Sequence, residues 1–123
     1  MLPKPARLNL KKDFKWVASG KKLETKYLRL FLRVGDPSTN SWPRIGIAVS
    51  SKSFKKATDR NRAKRIVSSA FQSLYSLLPL HLNIVALPKT GVLGVKSGDV
   101  LLDLEEALKH THVIPSVSEE SLN

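Results

Sequence analysis

The stretch KSFKKATDRNRAKRIVSSAF, residues 52–71, decides the fold because it combines a helical apolar pattern with a dense row of basic side chains. Its apolar residues recur every three or four positions, and the pattern continues beyond the stretch. The recurring residues are Ala63, Ile66, Val67, Ala70, Phe71, Leu74, Leu77 and Leu78. This period predicts an amphipathic helix with one face in a core. Thr58 is its predicted N-cap, and Asp59 suits the positive end of the helix dipole.

The opposite side of this predicted helix carries the positive charge. At about 100° per residue, the side chains that point away from the apolar stripe are polar or basic. They are Arg60, Asn61, Lys64, Arg65 and Ser68. Arginine offers planar, bidentate contacts to phosphate, and lysine offers a mobile point charge. From these residues alone, a phosphate-binding row and a solvated helix face are equal alternatives. The candidate row is Lys55, Lys56, Arg60, Asn61, Arg62, Lys64 and Arg65.

Two segments upstream of this helix alternate apolar and polar residues with the period of a β-strand. In Tyr27 to Val34, one face is Leu28, Leu30, Leu32 and Val34, and the other is Tyr27, Arg29, Phe31 and Arg33. In Arg44 to Ser50, the inward residues are Ile45, Ile47 and Val49, and the outward residues are Gly46, Ala48 and Ser50. Such small outward residues predict an uncovered groove floor beside Arg29 and Phe31.

The remaining sequence supplies two more helices, one more strand and a tail. The predicted segments are a helix at Leu8–Val17 capped by Asn9, a break at Ser19–Lys22, a buried strand at Leu82–Leu87, a loop at Lys89–Lys96, a helix at Asp99–Lys109 and disorder from His112 onward. Together these elements predict one α+β domain over residues 1–111 and a tail over 112–123.

The charge of the chain is strongly positive and unevenly distributed. Its net charge is +11, with 18 basic and 4 acidic residues up to Arg65 but 3 and 6 after it. Such a field attracts the phosphates of nucleic acids, and anionic lipid by the same physics. The chain has no cysteine and no apolar run of membrane-spanning length, so we expect a cytoplasmic protein without thiol chemistry, disulfides or a membrane partner.

The sequence offers no set of residues for catalysis by the protein itself. Its histidines, His81, His110 and His112, are scattered, and no carboxylates pair with them as metal ligands. Ser68 and Ser69 lack a neighbouring base that would activate a nucleophile. We therefore predict no catalytic residue, no metal site, no cofactor and no small-molecule substrate.

Residues 46–71 resemble the signature of the ribonuclease P protein family, which is G-hydrophobic-S-V-S-K, a short linker, R-N-x-x-K-R-x-x-R and an Ala-Phe pair. The matching residues are Gly46, Ile47, Ala48, Val49, Ser51, Lys52, Ala57, Arg60, Asn61, Lys64, Arg65, Ala70 and Phe71. The order of elements agrees over about residues 2–110. Ser68 stands where the family has a further arginine, and Ala18 where it has an aromatic residue in the first helix.

This resemblance implies an α/β sandwich of about four strands and three helices with a left-handed βαβ crossover, against the usual handedness. It also implies a protein subunit that binds a catalytic RNA carrying Mg²⁺ through the candidate basic row, which it favours over a solvated helix face. The same subunit is expected to hold the 5′ leader of precursor tRNA during its removal. Aromatic side chains can stack on bases of a single strand while cations follow its backbone. The predicted leader-binding residues are Phe14, Lys15, Arg29, Phe31, Arg33, Arg44 and Lys52.

Two other functions compete with this interpretation. One is a ribosomal or other structural RNA-binding protein with no role in cleavage, which the full-length match in element order disfavours. The other is a DNA-binding regulator that places the basic helix in a major groove. A strand precedes that helix, instead of the helix and tight turn that such regulators use, and this disfavours the second alternative.

Overall fold

The computed structural model describes residues 6–36, 38 and 42–111. In this part of the chain a four-stranded sheet carries one helix on its outer face and two helices on its inner face. The strands are β1 (Lys21–Glu24), β2 (Leu28–Val34), β3 (Arg44–Ile47) and β4 (Leu82–Pro88), and the helices are α1 (Leu10–Ala18), α2 (Ala57–Leu74) and α3 (Ser97–His110). The predicted α+β class and sandwich are confirmed, whereas the predicted tail lies outside the described residues.

The sheet has the order β1-β2-β4-β3 and mixes both kinds of pairing. Strands β1 and β4 pair antiparallel to β2, while β3 pairs parallel to β4. The chain therefore crosses from β3 through α2 to the neighbouring parallel strand β4, which is the expected βαβ unit. Its handedness stays an implication of the resemblance.

The main core lies between the sheet and the two inner helices. Helix α2 buries Ala63, Val67, Ala70, Phe71 and Leu74, as its apolar period predicts. These side chains pack on the inward residues of the sheet and on Val100, Leu104 and Leu108 of α3. The apolar face of α2 therefore packs in the core, and its basic face points away from the core.

A smaller core holds α1 against the outer face of the sheet. Leu8, Val17, Phe31 and Val85 are its buried members, with Leu10 and Phe14 packed at its edge. The side-chain oxygen of Asn9 accepts a hydrogen bond from the backbone N–H of Lys12, which confirms the predicted cap. Just before the helix, the N–H of Leu8 bonds the carbonyl of Ile45 at 3.0 Å, so the N-terminal segment pairs with edge strand β3.

Several predicted boundaries are wrong. Strand β1 begins within the predicted break, and as a largely exposed edge strand it has no apolar alternation to reveal it. Helix α1 begins at Leu10, two residues later than predicted. Strand β3 ends at Ile47 rather than Ser50. A short 3₁₀ helix, Thr90–Gly94, occupies the predicted loop after β4.

Three residues do not take the positions predicted for them. Lys56, not Thr58, is the N-cap of α2, and no side chain caps this helix. Val34 is 66% exposed because β2 ends there, beyond the inner helices. Leu77 is 46% exposed because the chain tightens into a 3₁₀ helix at Tyr75, which changes the angle between successive side chains.

Candidate nucleic-acid interface

Helix α1 covers the middle row of the outer sheet face, where Phe31, Val85 and Gly46 are register partners. Phe31 is 8% exposed, and a Cβ added to Gly46 would lie 2.6 Å from Cδ2 of Leu10. The prediction of an open groove floor at Phe31 and Gly46 is therefore wrong. The apolar side of α1 needs an apolar partner, and this row supplies it.

An open surface lies on one side of α1, and we call it the Ala48 trough. It is lined by Arg29, Ala48, Ser50, Ser53, Leu87, Pro88, Lys89 and Thr90. Ala48 continues the β3 pairing through its N–H, which donates to the carbonyl of Ala86 at 3.0 Å. The small Ala48 side chain leaves this part of the sheet open, as the sequence predicts. The trough thus combines an apolar floor, hydroxyl groups and two cations.

The two cations of the Ala48 trough share one carboxylate. Arg29 lies 3.3 Å and Lys89 3.7 Å from Oε1 of Glu24, whose side chain is 58% exposed. Exposed pairs of this kind contribute only about 0–1 kcal/mol to stability. Phosphate oxygens can therefore replace Glu24 as their partner at little cost. Lys89 also donates to the carbonyl of Thr25 at 2.8 Å, which fixes its direction.

A second open surface, the Trp16 cleft, lies on the other side of α1. It is lined by Lys12, Asp13, Trp16, Gly35, Asp36, Arg44 and Asn83. The guanidinium of Arg33 stacks 4.7 Å from the centre of the Trp16 ring and donates to the Trp16 carbonyl and the Ser19 hydroxyl. The backbone N–H of Ser38 donates a hydrogen bond to Asp36, and this bond is the main cause that lowers the pKa of Asp36. The hydroxyl of Ser38 donates a second hydrogen bond with a smaller effect in the same direction.

The structure thus divides the predicted leader-binding residues. Arg29 lines the Ala48 trough, and Lys52 is exposed on the turn that carries Ser50 and Ser53. Arg33 and Arg44 lie at the opposite cleft. Phe14 is half-buried and Lys15 is exposed. For these four residues, leader binding stays a prediction. Phe31 is 8% exposed and packs in the small core beneath α1. It also lines a surface with Lys22 and Arg29, and Nζ of Lys22 lies 5.7 Å from the centre of its ring, so its assignment stays a prediction as well.

Sequence reasoning missed Lys89 and the hydroxyls of the Ala48 trough. The signal was available, since Lys89 follows the end of β4 and Leu87 pairs with Arg29 across the sheet. Detecting it required the strand register, which a single sequence does not provide. Trp16 was also left without a role, although it is 39% exposed and stacks with Arg33.

The basic row of α2 is largely available to a partner. Asn61, Arg62, Lys64 and Arg65 are exposed, as are Lys55 and Lys56 just before the helix. Among the described residues, the ion pairs found involve Arg29, Lys89, Lys109 and His110 and none of this row. The row can therefore contact phosphates without first breaking an internal salt bridge.

Arg60 differs from its neighbours because it also serves the fold. Its Nη1 donates to the carbonyls of Phe54 at 2.8 Å and Lys55 at 3.1 Å. Phe54 itself is 2% exposed and anchors the basic segment to the core. Ser68 was predicted on the outward face, but it is 6% exposed, so that prediction is wrong. Ser68 lies on the side of α2 that faces strand β3 and the N-terminal segment, and these two elements cover its side chain.

Two kinds of feature are not found in the described residues. Over the described residues, no group of three or more histidine, aspartate or glutamate side chains is arranged to hold a metal ion. In the same part of the chain, no helix is long and apolar enough to cross a bilayer. The Ala48 trough itself offers cations, hydroxyls and apolar surface, which suit a polyanionic, single-stranded ligand.

Comparison with known proteins identifies the family. The family model described as Ribonuclease P matches residues 2–112. The chain belongs to the ribonuclease P protein family. It is 39% identical over 111 residues to the ribonuclease P protein component of Chlamydia muridarum, an alignment that covers 87% of this chain and 90% of the relative. RNA binding and tRNA processing follow from membership of this bacterial family.

Solved structures of ribonuclease P proteins share the fold. The Thermotoga maritima protein, solved in complex with 1-(4-fluorophenyl)-2-thiourea, is 31% identical with a TM-score of 0.71, covering 84% of this chain and 97% of its own. The Staphylococcus aureus protein solved at 2.0 Å is 22% identical with a TM-score of 0.73, covering 89% and 97%, and it supports the fold alone. The three helices and the mixed four-stranded sheet are therefore those of the ribonuclease P protein fold.

Arg60 and Arg62 form a matched pair for separating a structural role from a surface role. We expect Arg60→Ala to lower the free energy of unfolding by about 1–2 kcal/mol, because it removes two hydrogen bonds from a charged donor. Arg62→Ala makes the same chemical change at an exposed position of the same helix and should cost less than about 0.5 kcal/mol. Urea denaturation measures both values, and equal losses would contradict the structural role of Arg60.

Proposed function

We propose that this chain is the accessory subunit of a ribonuclease P whose catalytic centre is in the RNA, and that it holds the 5′ leader of precursor tRNA while that RNA cleaves the leader. The observation that carries the proposal is the pairing of an open, cation-lined trough with a separate exposed basic row. Two such surfaces on one small domain suit a protein that binds two RNA segments at once.

The Ala48 trough is the proposed leader site. A single strand presents phosphates, sugar hydroxyls and the faces of its bases along its length. Arg29 and Lys89 supply cations for the phosphates, Ser50 and Ser53 supply hydroxyls, and Leu87 supplies apolar floor for a base. The lining has no asparagine or glutamine side chain that would read base edges, so we expect contacts that follow the backbone with little base selectivity.

The exposed row on α2, with Lys55 and Lys56, is the proposed contact with the catalytic RNA. Phosphate contacts by lysine and arginine release counterions, and this release supplies a large share of the affinity for nucleic acid. The buried anchor Phe54 and the hydrogen bonds of Arg60 hold the segment before α2 in place. A pre-ordered basic row loses less conformational entropy on binding than a flexible one.

In this proposal, Mg²⁺ bound by the RNA supplies the chemistry of phosphodiester hydrolysis. The protein contributes positive charge that reduces the repulsion between substrate and RNA phosphates. The Ala48 trough and the α2 row consist mainly of groups that bind RNA, and this composition supports a binding role for the protein and a catalytic role for the RNA.

Reconstitution tests the proposal. The protein with its cognate RNA subunit should cleave precursor tRNA faster than the RNA alone at low Mg²⁺, because protein cations replace part of the counterion screening. Raising Mg²⁺ should narrow the difference. A rate that the protein does not increase at any Mg²⁺ concentration would contradict the proposed function.

The salt dependence of RNA-subunit binding tests the role of the α2 row. The double variant Lys64→Ala, Arg65→Ala should weaken binding and reduce the slope of log affinity against log salt by about 2, or about one per lost phosphate contact. Filter binding over a series of salt concentrations gives the slope.

The matched control removes the same charge elsewhere. Lys96→Ala with Lys109→Ala deletes two positive charges at the two ends of α3, on the acidic half of the chain, and should leave the slope nearly unchanged. Equal slopes for the two double variants would show that net charge, and not the α2 row, determines binding.

A further inference from the structure

A small recess beside α2 is distinct from the Ala48 trough and the Trp16 cleft and shares Lys64 with the basic row of α2. It lies between the N-terminal segment, β3 and α2, and we call it the Ser68 cleft. Its lining includes Leu8, Leu10, Gly46, Ile47, Lys64 and Ser68. Its volume is about 170 Å³, well below the roughly 300–1,000 Å³ of pockets for drug-sized ligands. A single planar ring system is therefore the scale of occupant it can take.

The chemistry of the Ser68 cleft combines an apolar interior with the hydroxyl of Ser68. Leu8, Leu10 and Ile47 supply aliphatic surface, and Leu10 keeps its position by packing directly over Gly46. Ser68 is 6% exposed, and its hydroxyl is a polar group in the otherwise largely apolar interior of the cleft. A hydroxyl that lines such a cleft can donate a hydrogen bond to a polar ligand edge or accept one from it.

The rim of the Ser68 cleft is positively charged. Arg7 and Lys64 line it and are both exposed, and Lys64 belongs to the basic row of α2. An apolar protein side chain would fill the interior but gain nothing from these cations. An unpaired nucleotide fits both parts, because its base offers an apolar face with polar edges and its phosphate is anionic.

We infer that the Ser68 cleft receives one unpaired base of an RNA bound along α2, with the Ser68 hydroxyl at the base edge and Lys64 at a flanking phosphate. This inference rests on the proposed contact between α2 and the catalytic RNA. It adds a discrete base-binding position to a surface that otherwise contacts phosphates. Because a hydroxyl both donates and accepts, the cleft does not by itself select one base.

Nucleotide titration of the isolated protein tests the cleft without the RNA subunit. The probes are adenosine, guanosine, cytidine and uridine monophosphates, with ribose 5-phosphate as the probe that lacks a base. We expect NMR signals of the Leu8, Leu10 and Ile47 methyl groups to shift with at least one nucleotide and not with ribose 5-phosphate. No shift with any nucleotide, or equal shifts with ribose 5-phosphate, would overturn the inference.

Filling the cleft provides the second readout. Ser68→Leu occupies it with aliphatic atoms, whereas Ser69→Leu makes the same change at the adjacent exposed position and leaves it open. We expect Ser68→Leu to abolish the methyl shifts and to weaken RNA-subunit affinity on the order of tenfold, equivalent to about 1.4 kcal/mol. Ser69→Leu should retain the methyl shifts and the affinity for the RNA subunit.

The outcomes separate this inference from the proposed function. RNA-subunit affinity that is equal in the two leucine variants, together with stimulated cleavage by the wild-type protein, would overturn the base site and leave the proposed function intact. Thermal unfolding of both variants shows whether the fold is retained. Ser68→Ala, which keeps the cleft open and removes only the hydroxyl, should reduce the methyl shifts without abolishing them. Unchanged shifts in Ser68→Ala would overturn the role of the hydroxyl.

Discussion

The seating of α1 on the middle row of the sheet is the contact on which the rest of the structure depends. Phe31 and Val85 form the apolar bed of the helix, and the absent side chain of Gly46 lets Leu10 approach the strand. Because the helix covers this row alone, it leaves an open surface on each side and a small recess at its start. The positions of the Ala48 trough, the Trp16 cleft and the Ser68 cleft all follow from this one contact.

The segment between β3 and α2 links the two proposed RNA surfaces. It begins at Ala48 on the trough floor, continues through Ser50 and Ser53 on the trough wall, and ends at the first turn of α2. Phe54 anchors it in the core, and Arg60 ties its carbonyls to the helix. A strand held in the trough and an RNA held on α2 would therefore keep a fixed spacing, which precise cleavage at one phosphodiester bond requires.

The sequence predicts the elements whose burial is one-sided, and it fails where position depends on a distant partner. The apolar period of α2 and the alternation in β2 are strong signals because each element has one buried face. Strand β1 has no such face. The strand alternation predicts an exposed Phe31, but α1 buries it. The helical period predicts an outward Ser68, but the N-terminal segment covers it. Helical and strand periods describe an element in isolation and do not reveal which element covers its second face.

The most direct test of the account is to locate the leader on the protein. The chain has no cysteine, so an Ala48→Cys variant carries a single thiol for a photoreactive group on the trough floor, and Leu102→Cys carries the same group on exposed α3. With the holoenzyme assembled on precursor tRNA, the group at position 48 should crosslink to nucleotides of the 5′ leader, and the group at position 102 should not. Crosslinks from position 48 that fall outside the leader, or equal leader crosslinks from both positions, would contradict the account.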